Sequence, residues 1–281
     1  MKLDAVRQRL EPLLPLLRCP LCGGDIALEG NCLRCGSGHC YDLSAKGYAN
    51  LAPMHDQAAE KYGGALFENR ACVFAAGFYT PVLEAISTAL QARPEPFSLL
   101  DVGCGEGYYA RALARRFPAA SVLGVDLSRE AIMAAARGGE RAGWLVADLK
   151  RLPVRDHAID VLLDVLTPAD YAEFRRVLAP GGELIKLVPG EDYLREVRQA
   201  VAGSLRAGDA YDNERVLTHL QHHAHVLQRI SIHETREVTP QQAQWFLRMT
   251  PMTFSVPTEL LEACRFSHIT IHLELLRCRM E

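Results

Sequence analysis

The stretch Leu100-Asp101-Val102-Gly103-Cys104-Gly105-Glu106-Gly107-Tyr108-Tyr109 constrains the fold more than any other part of the chain. An apolar run ends in Gly-x-Gly-x-Gly, and a helix-forming stretch follows at once. Glycines at such a junction let the backbone bend sharply and pass close to a ligand. The pattern demands a strand–loop–helix unit, and such units come in series on a parallel sheet. The spacing differs from the Gly-x-Gly-x-x-Gly of dinucleotide sites, which argues against a pyrophosphate held at the helix start.

The series is there in the sequence. From Phe97 onward, short β-rich runs alternate with helical stretches. Strands are predicted at 98–102, 121–126, 143–147, 158–165, 183–188, 228–238 and 267–277, and helices at 108–117, 129–137, 170–178 and 193–205. The last two strands are long and alternate in polarity, so they read as antiparallel edge strands. Pro180-Gly181-Gly182 reads as the end of one helix and the turn into the next strand. The expected fold class is α/β, a seven-stranded sheet with five parallel strands and then a reversed pair.

Acidic residues stand at the strand tips. Asp101 precedes the glycine loop. The second strand ends Gly124-Val125-Asp126-Leu127-Ser128. An acid about 20 residues past such a loop is placed to bind both hydroxyls of a ribose, and Ser128 caps the following helix. The third strand ends Val146-Ala147-Asp148-Leu149, where a carboxylate is placed to accept from an adenine amino group. Asp164, at the end of the fourth, is the carboxylate best placed by topology to act as a base, since ligands gather at the carboxyl ends of these strands.

The nine cysteines are unevenly spread. Cys19, Cys22, Cys32, Cys35 and Cys40 fall together near the N-terminus, whereas Cys72, Cys104, Cys264 and Cys278 are scattered and read as small buried residues. The chain starts without a basic-then-apolar leader, and no apolar run approaches the roughly 18–20 residues that span a bilayer. A cytoplasmic, membrane-free protein is therefore expected, and clustered cysteines there mean metal, not disulfides. Cys19-Pro20-Leu21-Cys22-Gly23 and Cys32-Leu33-Arg34-Cys35-Gly36 each allow a tight turn to aim two sulfurs at one zinc ion. Spacing leaves two ligand sets open: the four cysteines, slightly favoured, or Cys19, Cys22 and Cys35 with His39. Either fills all four positions with protein, so the ion is expected to be structural.

The glycine loop with Asp101, the acids Asp126 and Asp148, and the Pro180-Gly181-Gly182 turn with the terminal hairpin together resemble the class I S-adenosylmethionine-dependent methyltransferase fold, over about residues 97–280. That resemblance implies cofactor binding by Asp101, Gly103, Gly105, Gly107, Tyr108, Asp126, Leu127, Asp148 and Leu149, with Asp101 steadying the loop. The zinc head is followed by Tyr41-Asp42-Leu43-Ser44-Ala45-Lys46-Gly47-Tyr48, by Phe67-Glu68-Asn69-Arg70, by Gly77-Phe78-Tyr79-Thr80-Pro81 and, late in the chain, by Phe246-Leu247-Arg248-Met249-Thr250-Pro251. This combination resembles the bacterial 23S rRNA guanine-N1 methyltransferases, which include tylosin-resistance members, from Arg18 almost to the end. It implies zinc ligands Cys19, Cys22, Cys35 and His39, leaving Cys32 as an extra thiol, though the four-cysteine set stays open. It also implies methyl transfer to N1 of a guanine in a 23S rRNA hairpin, and a homodimer.

The resulting division is an extension (1–17), a zinc-binding module (18–52), a helical linker (53–95) and a methyltransferase domain (96–281). Removing Cys19 is expected to unfold the head and to weaken acceptor binding more than cofactor binding. Arg18, Arg34 and Lys46 are candidate phosphate contacts, and Tyr41 and Tyr48 either stack on bases or pack locally. Lys61, Tyr62, Phe67, Arg70 and Tyr79 either line the cleft or pack between domains. A net charge of −3, with 31 basic against 34 acidic residues, does not advertise a nucleic-acid binder. It keeps alive a small-molecule acceptor; a separate reading, against which the intact glycine loop and acids speak, is a zinc-dependent RNA-binding or regulatory protein with an inactive methyltransferase domain. Gln221-His222-His223-Ala224-His225 reads as a polar helix face or loop.

Overall fold

Both faces of a strand like 98–102 are apolar and need cover, and two separate layers supply it. The structure, a computed structural model, describes residues 3–52, 63–138, 141–204 and 213–281. The chain opens with helix α1 (Leu3–Leu10), a 3-10 segment (Glu11–Leu16) and four short strands, β1 (Ile26–Glu29), β2 (Cys32–Cys35), β3 (Cys40–Ser44) and β4 (Tyr48–Asn50). Helices α2 (Gly64–Ala75) and α3 (Thr80–Gln91) follow. The repeating part is β5 (Ser98–Val102), α4 (Tyr108–Arg116), β6 (Ser121–Asp126), α5 (Arg129–Ala136), β7 (Gly143–Val146), β8 (Ile159–Val165), α6 (Tyr171–Val177) and β9 (Leu178–Pro189). Then come α7 (Arg195–Ala200), α8 (Asn213–Gln221), β10 (Ala224–Glu237), α9 (Pro240–Arg248), α10 (Thr258–Ala263) and β11 (His268–Met280).

Local chemistry sets the helix starts. Ser128 accepts from the Ala131 N–H, Asp170 from the Glu173 N–H, and Thr239 with Gln242 forms a reciprocal cap behind Pro240. The strands join into one sheet in the order β1-β2-β3-β4-β7-β6-β5-β8-β9-β11-β10. Strands β5 to β9 are mutually parallel, and β11 runs antiparallel to both β9 and β10. The terminal pair is thus a hairpin, as expected, but its second strand is not an edge strand. It lies between β9 and β10, with Ile269, Ile271, Leu273 and Leu275 buried on one face and Leu276 and Cys278 on the other. Its alternating polar residues misled because Thr270 and Glu274 are themselves buried. Pro180-Gly181-Gly182 also differs from expectation. Helix α6 ends at Val177, and the three residues form a bulge inside β9, between the pairs Ile159↔Leu178 and Val161↔Glu183.

The N-terminal strands extend the main sheet. Strand β4 pairs in parallel with β7, Ala49 opposite Leu145, and the Leu51 N–H reaches the Val146 carbonyl. Val6, Leu10, Leu13 and Leu17 cover the face carrying Leu100, Val102, Leu123 and Val125, in one continuous apolar cluster with Cys19, Cys35 and Tyr41. Each such aliphatic side chain contributes about 1.5–3 kcal/mol by leaving water. Approach is close: a Cβ on Gly143 would come within 2.3 Å of the Leu13 side chain. The opposite face, with Leu99, Val122, Trp144, Val161 and Leu163, is covered by α3, α4, α5 and α9. Among the described residues no single helix is long and apolar enough to cross a membrane.

Candidate functional site

Two turns build a metal centre. The first runs from Cys19 to Gly24, closed by the Cys19 N–H to the Gly24 carbonyl, and the second from Cys35 to His39. They bring Cys22 Sγ to 3.7 Å from Cys35 Sγ, and His39 Nδ1 to 3.5 Å from Cys19 Sγ and 3.3 Å from Cys35 Sγ. A tetrahedral zinc bonded at about 2.3 Å to sulfur and 2.0 Å to nitrogen has edges of about 3.5–3.8 Å, so these four donors fit the ion and close its coordination. The N–H of Gly24, with Ser37 and His39, lowers the Cys22 thiol to about 6, which favours the ligating thiolate. Tyr41, buried, places its hydroxyl 3.1 Å from Cys19 Sγ, a donor behind the ligand. Cys32 is excluded by the pleat. It lies three residues from Cys35 on the same strand, hence on the other face, and its thiol meets the Glu29 carbonyl.

The carboxyl ends of β5, β6 and β8 meet at the glycine loop. Gly103, Gly105 and Gly107 all have positive φ, at 64°, 55° and 75°. Trp144 from β7 fills the space beneath the loop, and a Cβ on Gly107 would sit 2.5 Å from its ring. Asp126 accepts from the Gly105 N–H at 2.9 Å and the Ser128 N–H at 2.8 Å, which ties the β6 tip to the loop. Asp101 accepts from the Ala110 N–H in the first turn of α4. Helix α2 crosses above: Arg70 Nη1 lies 3.4 Å from the position of a Gly105 Cβ, and Arg70 Nη2 donates to the Met249 carbonyl at 3.3 Å.

The floor is acidic and underpaired. Asp101 Oδ2 and both carboxylate oxygens of Glu106 are buried with no hydrogen-bond partner among the described residues; Arg70 approaches Glu106 only to 4.0 Å. Burial pushes the Glu106 carboxyl up, against the pull of Arg70. Burial also pushes Asp101 well up, reinforced by the neighbouring carboxylates Asp126, Asp164 and Glu106. Such a floor is built to receive a cation. Thr167 forms part of the rim, its side chain filling the space beside Gly103 and its hydroxyl 3.4 Å from the Gly103 carbonyl.

Comparison with known proteins identifies this arrangement. Residues 99–182 match the family model described as "Methyltransferase domain", and residues 17–59 match "RlmA, N-terminal", a zinc-ribbon model. YxjB of Bacillus subtilis (strain 168), assigned to the 23S rRNA (guanine-N(1)-)-methyltransferases, is 34% identical over 274 residues, 93% of this chain and 96% of its own. The chain belongs to the 23S rRNA (guanine-N1) methyltransferase family. The 23S rRNA (guanine(748)-N(1))-methyltransferase of Streptomyces fradiae is 35% identical over 197 residues, covering 69% of this chain and 70% of its own. Among solved structures, a methyltransferase from Aquifex aeolicus aligns with 78% of this chain and 98% of its own, at a TM-score of 0.49 and 13% identity. Like its family, the protein is an S-adenosylmethionine-dependent methyltransferase with a zinc ribbon. The residues fit the cofactor: unpaired buried carboxylates suit its cationic amino-acid end, and the acid at the β6 tip suits a ribose diol.

Of the cofactor residues expected from sequence, Asp101, the three glycines and Asp126 converge at the glycine loop. Leu127 is half-buried beside Asp126, and Tyr108 stacks on Phe74 at 4.2 Å. Asp148 is exposed, capping a short turn by accepting from the Lys150 N–H, and Leu149 is half-buried in that turn. Asp164 is fully buried, its Oδ2 held by Lys186 Nζ at 2.6 Å and its Oδ1 by the Thr167 N–H at 3.3 Å. Burial pushes its carboxyl up, with Lys186 opposing. Tyr41 and Tyr48 pack and do not stack outward: Tyr48 is buried and accepts from Arg129. Arg18 pairs with Asp156 and Arg34 with Glu29, whereas Lys46 is exposed beside Met133. Phe67 and Tyr79 are buried, Tyr79 against Tyr193. Lys61 and Tyr62 lie outside the described residues. Sequence reasoning missed Glu106, Trp144 and Lys186. Glu106 sits between two of the loop glycines, a position from which an acid was open to notice.

Proposed function

We propose that this methyltransferase acts on N1 of a guanine in a hairpin of 23S rRNA, in the cytoplasm and as a homodimer. The observation that carries the reading is the match over 93% of this chain to YxjB, a relative named for that reaction, the ribbon included. Bound S-adenosylmethionine supplies a methyl group on an electrophilic sulfonium, so the protein's work is alignment and charge. Asp101 and Glu106 hold the cofactor's cationic end, and Asp126 holds its ribose while fixing Gly105. Asp148 and Leu149 border the adenine. Thr167 and Pro168 form the acceptor's rim.

Asp164 is a positioning residue in this reading. A base must reach the proton it removes, and this carboxylate is buried against Lys186 and the Thr167 N–H. Through that pair it fixes the rim, and the Lys186 contact to the Thr167 carbonyl at 3.3 Å completes the brace. The target guanine must leave its pair or lie in a loop, because N1 is on the pairing edge. The ribbon, fused to the sheet through β4, provides a fixed second surface for that RNA. The test is nucleoside mass spectrometry of 23S rRNA from cells with and without the protein, with purified enzyme and undermethylated rRNA in parallel. The expected result is 1-methylguanosine only where the protein is present. Label in free purines and none in RNA would overturn it.

A further inference from the structure

At the opposite edge of the sheet from the ribbon, His233 on β10 and His272 on β11 stand directly opposite each other in register. Their rings meet edge to face, 4.5 Å between centroids. Asp192, in the turn after β9, brings Oδ2 to 2.9 Å from His233 Nε2 and 3.9 Å from His272 Nδ1. One ligand atom from each residue lies within 4.8 Å of the other two. We propose that Asp192, His233 and His272 form a second metal site, for zinc or a divalent ion of the same borderline class such as cobalt or nickel.

The donor types come first. Two imidazoles and one carboxylate suit this class of ion, and three protein ligands leave a position open, unlike the closed ribbon centre. The spacing agrees. Donors bonded at about 2.0–2.1 Å to a tetrahedral ion lie about 3.4 Å apart, and the two observed Asp192 distances fall on either side of that value. The outer partners agree as well. His272 Nε2 is 3.3 Å from Oε1 of Glu274, a buried carboxylate that Arg229 holds through its other oxygen at 2.9 Å. A carboxylate there takes the Nε2–H and leaves the Nδ1 lone pair facing Asp192. That lone pair now accepts only a long bond, 3.3 Å, from the Asp192 N–H. Asp192 Oδ1 lies 3.6 Å from Arg195, which leaves Oδ2 for the ion.

The site is also held in place. Two ligands stand on paired strands. The turn carrying the third passes so close that a Cβ on Gly190 would lie 2.4 Å from the His272 ring. Asp192 follows the carboxyl end of β9, the same end of the sheet as the glycine loop and two strands away from β5. Two strand spacings are about 10 Å.

The experiment uses the full-length protein with its ribbon loaded with one equivalent of zinc. Cobalt is then added, and bound metal is counted after equilibrium dialysis. The wild type should hold one zinc and one cobalt per chain. The cobalt should show visible bands without the intense thiolate absorption of a cysteine site. His233→Ala removes an exposed ligand; it should leave one ion per chain with an unchanged melting temperature. His272→Ala should do the same to the metal count. Glu274→Gln should weaken cobalt binding about 10–100-fold without touching the ribbon zinc. One ion per chain in the wild type, or two retained in His233→Ala, would overturn the assignment and leave the cluster a hydrogen-bonded one.

Discussion

Glu106 carries a carboxylate that is buried, faces Arg70 at a distance too long for a hydrogen bond, and leaves both oxygens without donors. Burial raises its pKa above the unfolded value, so the native chain keeps this proton over a range where the unfolded chain has lost it. Its contribution to stability is complete below the ordinary glutamate range and is lost as pH rises through the raised value. Glu106→Gln should therefore flatten the decline of melting temperature as pH rises above the ordinary glutamate range in cofactor-free protein, while Asp101 keeps part of it. The same substitution should weaken S-adenosylmethionine binding by about 1.5–3 kcal/mol, roughly ten- to a hundredfold, as expected for a lost charge-assisted bond. Calorimetry in two buffers of different ionisation enthalpy should also show proton release on binding to the wild type, reduced in the variant. Unchanged affinity would remove Glu106 from the cofactor's cationic end. Asp164→Asn separates two roles by pH. A positioning residue lowers turnover with the pH profile unmoved, whereas a direct base takes the profile's acid limb with it. At Gly107 the constraint is steric. A φ of 75° and a Trp144 ring 2.5 Å from the missing Cβ should make Gly107→Ala cost at least about 2 kcal/mol in chemical unfolding.

Helix α2 shows what elements add to residues. It has no side-chain cap at Gly63, yet Phe67 and Arg70 lie over Gly105, and Arg70 bolts it to the Met249 carbonyl ahead of Pro251. With Phe67 and Arg70 lying on Gly105, α2 must shift to admit a ligand beneath it, so cofactor should slow hydrogen exchange across residues 64–75. Arg70→Met should speed cofactor dissociation several-fold; equal exchange with and without cofactor would deny α2 this closing part. The core strands were legible because β5 to β8 are short, apolar and punctuated by glycines and tip acids, which no other element imitates. The order of the sheet was not, because neighbours are chosen by faces that a linear pattern does not show. Buried Thr270 and Glu274 made β11 look half-solvated, and nothing local announced that it enters between β9 and β10. Helices α8 and α9 were not expected, although Thr239 and Gln242 at the start of α9 carry a capping-box signature. The His-rich segment runs from the last residue of α8, Gln221, through a turn at 222–223 into the start of β10, where Ala224 is buried and His225 pairs with Arg279, so only part of it is the polar helix end or loop expected. The fourth zinc ligand was ambiguous by spacing alone; the pleat of β2 decides it once Cys32 and Cys35 are known to share a strand.

For the molecule as a whole, the decisive fact is that the ribbon and the catalytic sheet share strands and core. Cys19 and Cys35 lie in the same apolar cluster as Leu100, Val102, Leu123 and Val125, and β4 donates a parallel ladder to β7, the neighbour of β6. A head joined by a linker would melt alone when its ion is removed, leaving cofactor binding intact. A head that covers one face of the sheet cannot do so: its loss would expose Leu123 and Val125, and with them the strand whose tip is Asp126. Chelating the zinc, or replacing Cys19 with Ser, should therefore lower a single cooperative transition of the whole chain and weaken S-adenosylmethionine together with RNA. This replaces the expectation that acceptor binding would weaken more than cofactor binding. Leu17→Ala, at the seam, should act in the same direction by about 2–5 kcal/mol. Scanning calorimetry decides the matter. Two separate transitions, with cofactor affinity preserved after the first, would mean that the shared ladder contributes little and the head is only attached.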